Sequence, residues 1–276
     1  MRFSSLKNKR ERSKYKNMSD RDKQELELLN LQIKSILIYM VSDLFLFLFS
    51  IEAVRISCNK GEEGANPLIL QQQGESLALI ASIINYYINS TRYSSLINSN
   101  ANEESIELEG VLTEAGVLIV IVYALSVIVS IKRYDASLII DLFKYDKNNI
   151  YRLFWEGICF LIRFYGDYFL LSSTLKSIDL IRSKYDSSIK NIYNPDIDAV
   201  IAAEFYVLQR GVLYDINCSL LQDLINNGSD IEKKLLIPIQ QVVIFTNIMA
   251  VIANTSVLSA FTQIYNKNVD EPIFGR

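Results

Sequence analysis

No charged side chain occurs between Ile237 and Tyr265, and this 29-residue stretch constrains the fold more than any other feature of the chain. A helix needs about 20 predominantly apolar residues to cross the ~30 Å hydrocarbon core of a bilayer. The stretch therefore predicts a membrane span at about 237–254. The 276 residues include only ten glycines and four prolines, so few positions interrupt helices elsewhere. We expect an essentially all-helical protein.

Two further segments predict firm membrane spans, at 33–51 and at 111–131. The apolar part of a helix at 68–90 is shorter and is more typical of an interfacial or buried helix. A segment at 154–175 is aromatic-rich but interrupted by charges, and we expect a surface or interfacial amphipathic helix there. The sequence thus predicts an all-α, polytopic helical membrane protein of three to five spans, with long helices and a charged helical region between the second and last firm spans. The alternative is a soluble all-helical bundle, because helices that are apolar all round also occur in large protein cores.

Charge and hydropathy divide the chain into four regions. These are a basic N-terminal arm and helix start at 1–30, a membrane region at 31–133, an amphipathic helical region at 134–234, and a last span with a short tail at 235–276. Residues 1–18 hold seven Lys/Arg against one acid. A basic block before a long apolar segment, without a small-residue cleavage site, is typical of a retained signal-anchor. Basic residues near a membrane surface are also attracted to anionic lipid headgroups.

The positions of the basic clusters predict an orientation in the membrane. Lys132-Arg133 close one apolar segment and Lys233-Lys234 precede another. Cytoplasmic loops of membrane proteins carry an excess of Lys and Arg. Three spans place both clusters and the N-terminus in the cytoplasm, with 52–110 outside and 134–234 inside. We therefore predict a multi-pass protein of a bacterial plasma membrane with a cytoplasmic N-terminus, and an added crossing at 154–175 stays open.

Ionisable side chains within or beside the apolar segments are the first candidate functional residues. Asp43 lies in the middle of the first span, where a charge costs roughly 2.5–3.5 kcal/mol on insertion scales and normally faces the interior of a helix bundle. It indicates either ion or proton passage or a carboxyl group that holds helices together, and we favour the second. Glu114 lies one turn into its span and can reach the headgroups. Arg163 and Asp167 are four residues apart and can form an ion pair on one helix face.

Carboxamides recur at intervals of seven in the charge-free stretch, at Gln240, Asn247 and Asn254. Residues seven apart on a helix drift by only ~20°, so the three share one face. Inside a membrane such groups form hydrogen bonds between helices, each worth about 0.6–2 kcal/mol. The face is interpreted as packing within the chain, as self-association to a homo-oligomer, or as the polar lining of a pore.

The sequence gives no indication of catalytic chemistry. Histidine, the commonest general acid/base and metal ligand, does not occur in the chain. The three cysteines form no CxxC pair, and no nucleotide-binding or hydrolase motif is present. We therefore expect no enzyme activity, catalytic residue, metal site or cofactor, and no nucleic-acid partner.

Three functions follow as hypotheses. The first is an integral membrane protein that assembles or recruits partners, because the charge-dense region 134–232 could bind a cytoplasmic protein. The second is a small channel or transporter subunit that uses Asp43 and the face of Gln240, Asn247 and Asn254. The third is the soluble helical bundle. The lipid bilayer itself is the partner that the first two share.

Overall fold

The computed structural model describes residues 18–59, 65–99, 101–143, 146–189 and 194–267. These residues form six helices and the short segments that connect them, with no strand among the residues described, so the predicted all-α fold is confirmed. Most of the basic arm and the end of the C-terminal tail lie outside the described residues.

All six helices are long. In chain order they are α1 (Asp20–Cys58), α2 (Leu68–Asn98), α3 (Glu103–Ser137), α4 (Lys147–Ser183), α5 (Pro195–Asn227) and α6 (Asp230–Lys267). Their lengths of 31 to 39 residues correspond to about 46–58 Å at 1.5 Å per residue. Each helix is therefore longer than the ~30 Å hydrocarbon core of a bilayer is thick.

Four of the helices, α1, α3, α4 and α6, are long and apolar enough to cross a membrane. Three of them contain the firm spans predicted from the sequence. The fourth, α4, contains the segment 154–175 that we expected at the surface. It joins the others by its length and apolar composition. Two of the charges that interrupt it, Arg163 and Asp167, are buried inside the bundle rather than turned outward.

The helices begin where polar side chains can accept hydrogen bonds from the first free backbone N–H groups. The side chain of Ser19 accepts from the N–H of Asp22 at the start of α1. A capping box starts α6: the backbone N–H of Ser229 donates to the carboxylate of Glu232, and the N–H of Glu232 donates to the Ser229 hydroxyl. Side-chain oxygens cap three further helices in the same way, those of Asn102, Asp146 and Asn194.

The helices close into a ring. Within the described residues each helix packs against two others, which gives the order α1, α2, α3, α6, α5, α4 and back to α1. Neighbours run in opposite directions: Lys184 at the end of α4 pairs with Asp22 at the start of α1, whereas Gly157 of α4 contacts Ser50 near the end of α1. We call the end where α1, α3 and α5 begin the first end, and the opposite end the second end.

Small residues allow close approach between neighbouring helices. The hydroxyl of Ser35 on α1 donates to the carbonyl of Ala81 on α2 at 2.8 Å, and that of Ser42 donates to the carbonyl of Gly74 at 2.8 Å. A Cβ atom at Gly74 would lie only 2.7 Å from Cγ of Leu46. Such contacts between small residues and backbone are typical of helices packed in membranes.

The ring buries polar and charged side chains among its apolar core residues, and many large apolar side chains lie on its outside. Large apolar side chains lie on its outer surface, among them Leu44 (45% exposed), Ile128 (52%) and Phe245 (55%). By contrast, Asp43 and Arg163 are 1% and 4% exposed. A protein surrounded by water normally has the reverse distribution.

The ring separates two charge clusters that the sequence-based orientation placed together. Because α2 runs back along α1, the start of α3 at Glu103 lies at the first end, close to the start of α1 at Asp20. Lys132-Arg133, near the end of α3, lie toward the second end. The N-terminal helix start and this basic pair are thus at opposite ends of the ring.

Candidate functional site: polar residues along the axis of the ring

The centre of the ring contains a group of buried polar side chains from four helices. We call this group the axial cluster; it consists of Asp43, Tyr123, Arg163, Asp167, Tyr206 and Arg210. Arg163 on α4 forms an ion pair with Asp43 on α1. It also donates to the hydroxyl of Ser42 at 3.1 Å and to that of Tyr123 at 2.7 Å. A buried guanidinium with these partners joins α1, α3 and α4 at one level.

The structure brings Arg163 and Asp167 into one cluster but gives each of them a closer partner on another helix. Arg163 pairs with Asp43. Oδ1 of Asp167 accepts a hydrogen bond from the hydroxyl of Tyr206 at 2.5 Å, which joins α4 to α5. The pair proposed from their spacing of four is therefore part of a larger network and not an isolated surface ion pair.

Tyr123 lies between two arginines. The guanidinium carbon of Arg163 is 5.5 Å from its ring centroid and that of Arg210 is 5.4 Å from the same centroid. Tyr39 packs beside it, with the two ring centroids 5.8 Å apart. An aromatic face attracts a cation within about 6 Å, most strongly where water is excluded. Tyr123 thus helps to hold two buried positive charges close together.

The three carboxamides of α6 all face the interior of the ring. Gln240 donates to the side chain of Asn217 on α5 at 2.7 Å and accepts from Arg133 on α3 at 3.2 Å. Asn247 accepts from Arg210 at 3.5 Å, and Asn254 donates to a backbone carbonyl of α5 at 3.5 Å. The shared face predicted from the spacing of seven thus joins α6 to its two neighbours. These side chains form hydrogen bonds within the chain. The predicted self-association therefore stays a prediction, and it would have to use a different surface of the protein.

Glu114 lies apart from the axial cluster. Its side chain is exposed on the outer surface of α3, one turn before the exposed apolar Val117. This position agrees with a carboxylate directed at lipid headgroups. Glu114 is therefore not part of the polar interior of the ring.

A central cavity of about 140 Å³ lies beside the axial cluster, on the side of the first end, and all six helices contribute to its wall. An open vestibule of about 810 Å³ occupies the first end itself. Arg92 borders both spaces and forms an ion pair with Glu25 at 2.7 Å. This ion pair therefore lies between the vestibule and the central cavity.

Two smaller cavities continue the series toward the second end. One of about 40 Å³ borders Arg163 and Arg210 on the side away from the central cavity. The next, of about 120 Å³, shares Arg133, Glu156 and Asn217 with it. Four spaces thus follow one another along the axis of the ring, and each neighbouring pair shares at least one arginine.

Several polar atoms on the wall of the central cavity have no hydrogen-bond partner. They are both amide atoms of Gln209, Oδ2 of Asp167, Oδ1 of Asn85 and Nε of Arg163. Gln209 is 1% exposed. Buried polar groups are nearly always hydrogen-bonded in folded proteins, so unpaired donors and acceptors around one cavity indicate that it holds water or another polar molecule.

The described residues contain no group of three His, Cys, Asp or Glu that could hold a metal ion. The three cysteines are free, and the buried one, Cys159, lies within α4. The side chains of the axial cluster can recognise a ligand by charge and hydrogen bonding.

Sequence reasoning found Asp43, Arg163, Asp167 and the carboxamides, but it missed Tyr123, Gln209 and Arg210. Arg210 lies in the region 134–234, where the sequence predicts amphipathic helices with many charges. Glu204 and Asp215 border the otherwise uncharged stretch around Arg210, so the spacing of charges does not single it out.

No known protein family, no curated protein and no solved structure matches this chain.

Proposed function

We propose that the chain is a membrane transport protein whose six-helix ring spans the bilayer and encloses a pathway for a small polar solute. The observation that carries this proposal is the series of four cavities along the axis of a ring with an apolar outside. Polar residues inside a membrane bundle mark substrate or ion pathways by default.

The outer surface supports an orientation with the ring axis along the membrane normal. On α1, Lys34 and Glu52 enclose 17 positions, and on α3, Glu114 and Lys132 also enclose 17 positions. A helical segment of that length is about 26 Å long, close to the thickness of a hydrocarbon core. In this orientation all six helices cross, including α2 and α5, which are not among the four that qualify by apolar composition. Gln71, Gln209 and Arg210 of these two helices are buried, whereas Glu204 and Asp215 of α5 are exposed.

The structure represents a closed state of the proposed pathway. The ion pair between Arg92 and Glu25 separates the vestibule from the central cavity, and the axial cluster separates that cavity from the second end. Removing one partner of a buried ion pair costs about 3–5 kcal/mol because the other charge is left uncompensated. A solute can therefore pass only when these ion pairs separate and water or the solute takes the place of the carboxylates beside Arg92 and Arg163.

The hypothesis of a partner-recruiting protein receives less support from the geometry. It was based on the charge density of 134–232, and Arg163, Asp167 and Arg210 from this region are buried inside the ring. The transporter hypothesis gains because Asp43 and the carboxamide face of α6 border the same axis.

Solute uptake by proteoliposomes tests the proposal. Swelling of vesicles is measured in isosmotic glycerol, glycine and potassium chloride, with protein-free vesicles as the baseline. We expect uptake of at least one solute above that baseline. Ala115→Phe should return uptake to the baseline because Ala115 is buried on the cavity wall, whereas Val117→Phe should not, since Val117 is 41% exposed on the outer surface.

The two variants form a matched pair on one helix. Size-exclusion chromatography and circular dichroism establish that both are folded before uptake is compared. Equal uptake by the two variants, or uptake no faster than protein-free vesicles for all three solutes, would remove the proposed pathway.

A further inference from the structure

We infer that the central cavity binds a small zwitterion with an apolar body, such as an amino acid of about the size of leucine. The inferred ligand is the solute of the proposed pathway and so rests on that proposal. Its recognition depends on three features of the wall: unpaired acceptors, an arginine without a carboxylate partner, and an apolar end.

The unpaired acceptors would be satisfied by a ligand that donates hydrogen bonds. Oδ2 of Asp167, Oδ1 of Asn85 and Oε1 of Gln209 lie on the cavity wall without a donor. They come from α4, α2 and α5, so they approach the cavity from three directions. An ammonium group carries three donors and a full charge, and it satisfies several such acceptors at once. Asp167 supplies the negative charge that would balance it.

A carboxylate on the ligand would give Arg210 an ion-pair partner. Arg210 is 7% exposed, it stacks on Tyr123, and its hydrogen bond to Asn247 is long at 3.5 Å. Among the described residues Arg210 has no carboxylate within ion-pair distance, in contrast to Arg163, which pairs with Asp43. A guanidinium presents paired N–H groups that match a carboxylate, so a bound carboxylate would provide the missing partner.

The charge balance of the axial cluster favours a zwitterion over a simple ion. If all four side chains are counted as charged, Asp43 and Asp167 are matched by Arg163 and Arg210, two acids against two bases. A singly charged ligand would add an uncompensated buried charge, which is costly in a low-dielectric site. A zwitterion leaves the sum unchanged and still provides both the donor group and the carboxylate.

The remaining wall sets the size and polarity of the ligand body. Leu112, Ile119, Val257 and Phe261 line the cavity away from the axial cluster. Its volume of about 140 Å³ is close to that of an engineered apolar cavity of about 150 Å³ that holds benzene. A branched aliphatic chain of four or so carbons fits beside the charged group.

Binding to the purified, detergent-solubilised protein tests the ligand class apart from transport. Isothermal titration calorimetry compares L-leucine with 3-methylbutylamine, which lacks the carboxylate, and with 4-methylpentanoate, which lacks the amine. We expect leucine to bind at least about tenfold more tightly than either analogue, because each analogue leaves one buried charged group unpaired.

Substitutions in the cavity wall test which residues bind the carboxylate and the ammonium group of the ligand. Arg210→Gln should weaken leucine binding at least about tenfold, since leucine carries the carboxylate. It should not weaken 3-methylbutylamine binding, because that amine has no carboxylate and the variant removes a positive charge from the site. Gln209→Leu, which conserves volume, should weaken leucine binding as well and serves if Arg210→Gln does not fold. Arg55→Gln, on the exposed side of α1, is the matched control and should change nothing.

Each other result has a definite meaning. If 4-methylpentanoate or 3-methylbutylamine binds as tightly as leucine, the site selects a simple ion and the inference is overturned. If none of the three probes binds, it is overturned as well. If leucine binds as expected but proteoliposomes take up neither leucine nor any of the three solutes above the protein-free baseline, the ligand site stands and the transport proposal fails.

Discussion

Arg163 on α4 and Asp43 on α1 form a buried ion pair at mid-height of the ring, with Asp43 1% exposed. The pair gives the carboxylate in the middle of the first apolar segment a cation from a distant part of the chain. Such a pair is favourable only while both partners are present, because either charge alone would be uncompensated in a low-dielectric interior. The same pair closes the proposed pathway between the central cavity and the second end.

Substitution of both partners should therefore be less harmful than the two single substitutions added together. We expect Asp43→Asn and Arg163→Gln each to lower the free energy of unfolding in detergent, on the order of 3 kcal/mol. The double variant should cost less than the sum, with a coupling energy of at least about 1 kcal/mol. Thermal unfolding followed by circular dichroism measures all four proteins. Strictly additive losses would mean that the two residues act independently.

Gly166 should be sensitive to substitution, whereas Gly211 should not. A Cβ atom at Gly166 would lie 2.8 Å from the ring of Tyr206, which donates to Asp167, but a Cβ atom at Gly211 would meet nothing within 4 Å. Gly166→Ala should destabilise the protein by about 1–3 kcal/mol. Gly211→Ala should be neutral or stabilise it by up to about 1 kcal/mol, since alanine is the better helix former.

The two glycine variants form a matched pair, because the chemical change is the same in two adjacent helices. Melting temperatures in one detergent decide the outcome. A similar shift for both variants would show that close approach at Gly166 does not limit the packing of α4 against α5.

Replacing Gln240, Asn247 and Asn254 together by Leu should raise hydropathy and yet lower stability. The triple variant removes the hydrogen bonds of α6 to both of its neighbours and leaves Arg133 and Arg210 without these partners. The expected loss is on the order of 1–4 kcal/mol, from a modest contribution per bond between helices. Urea or thermal unfolding in detergent gives the difference.

The control places three leucines on the outer face of the same helix, at Val242, Ile248 and Ile252, which are 36–54% exposed. These changes conserve apolar character and should be nearly neutral. If the carboxamide variant is as stable as this control, the carboxamides do not hold the helices together.

Cysteine labelling should distinguish six crossings from the three spans derived from charge. Cys58 is exposed at the second end and Ser99 is exposed at the first end. Two proteins are compared, one with Cys58 and one with Ser99→Cys as its only accessible cysteine. If the ring spans the bilayer, an impermeant maleimide labels these two cysteines from opposite sides of the membrane. In the three-span arrangement 52–110 lies outside as a whole, so both would label from the same side. Labelling from one side would therefore contradict the proposed orientation.

Helix positions were largely predictable from the sequence because local signals define them. Apolar length predicted the spans in α1, α3 and α6, and capping residues such as Ser229 lie where the helices begin. The segment 154–175 was predicted to form a surface or interfacial helix, with an added crossing left open, and the helix that contains it is apolar enough to cross. Its charges were counted as exposed, whereas the fold turns Arg163 and Asp167 inward, where other helices supply their partners.

The axial cluster could be predicted only in part, since its pairs join residues that are far apart in the chain. A spacing of four suggested that Arg163 would pair with Asp167, because only local partners are visible in a sequence. The partner of Arg163 on α1 and the role of Tyr123 depend on the order of helices around the ring. Nothing local distinguishes Arg210, which lines the cavity, from an exposed charge on the same helix such as Glu204.

The order of helices around the ring also determines when its parts can meet during synthesis. Asp43 leaves the ribosome well before Arg163. If the ring spans the bilayer as proposed, the first three helices enter the bilayer while this carboxylate has no guanidinium partner. Closure comes last, because α6 packs against α3 only after the rest of the chain has been made. An isolated carboxylate in a membrane is costly, and an open ring exposes its polar interior to lipid. The nascent helices therefore have to be held together, by the insertion machinery or by one another, until the final helix arrives.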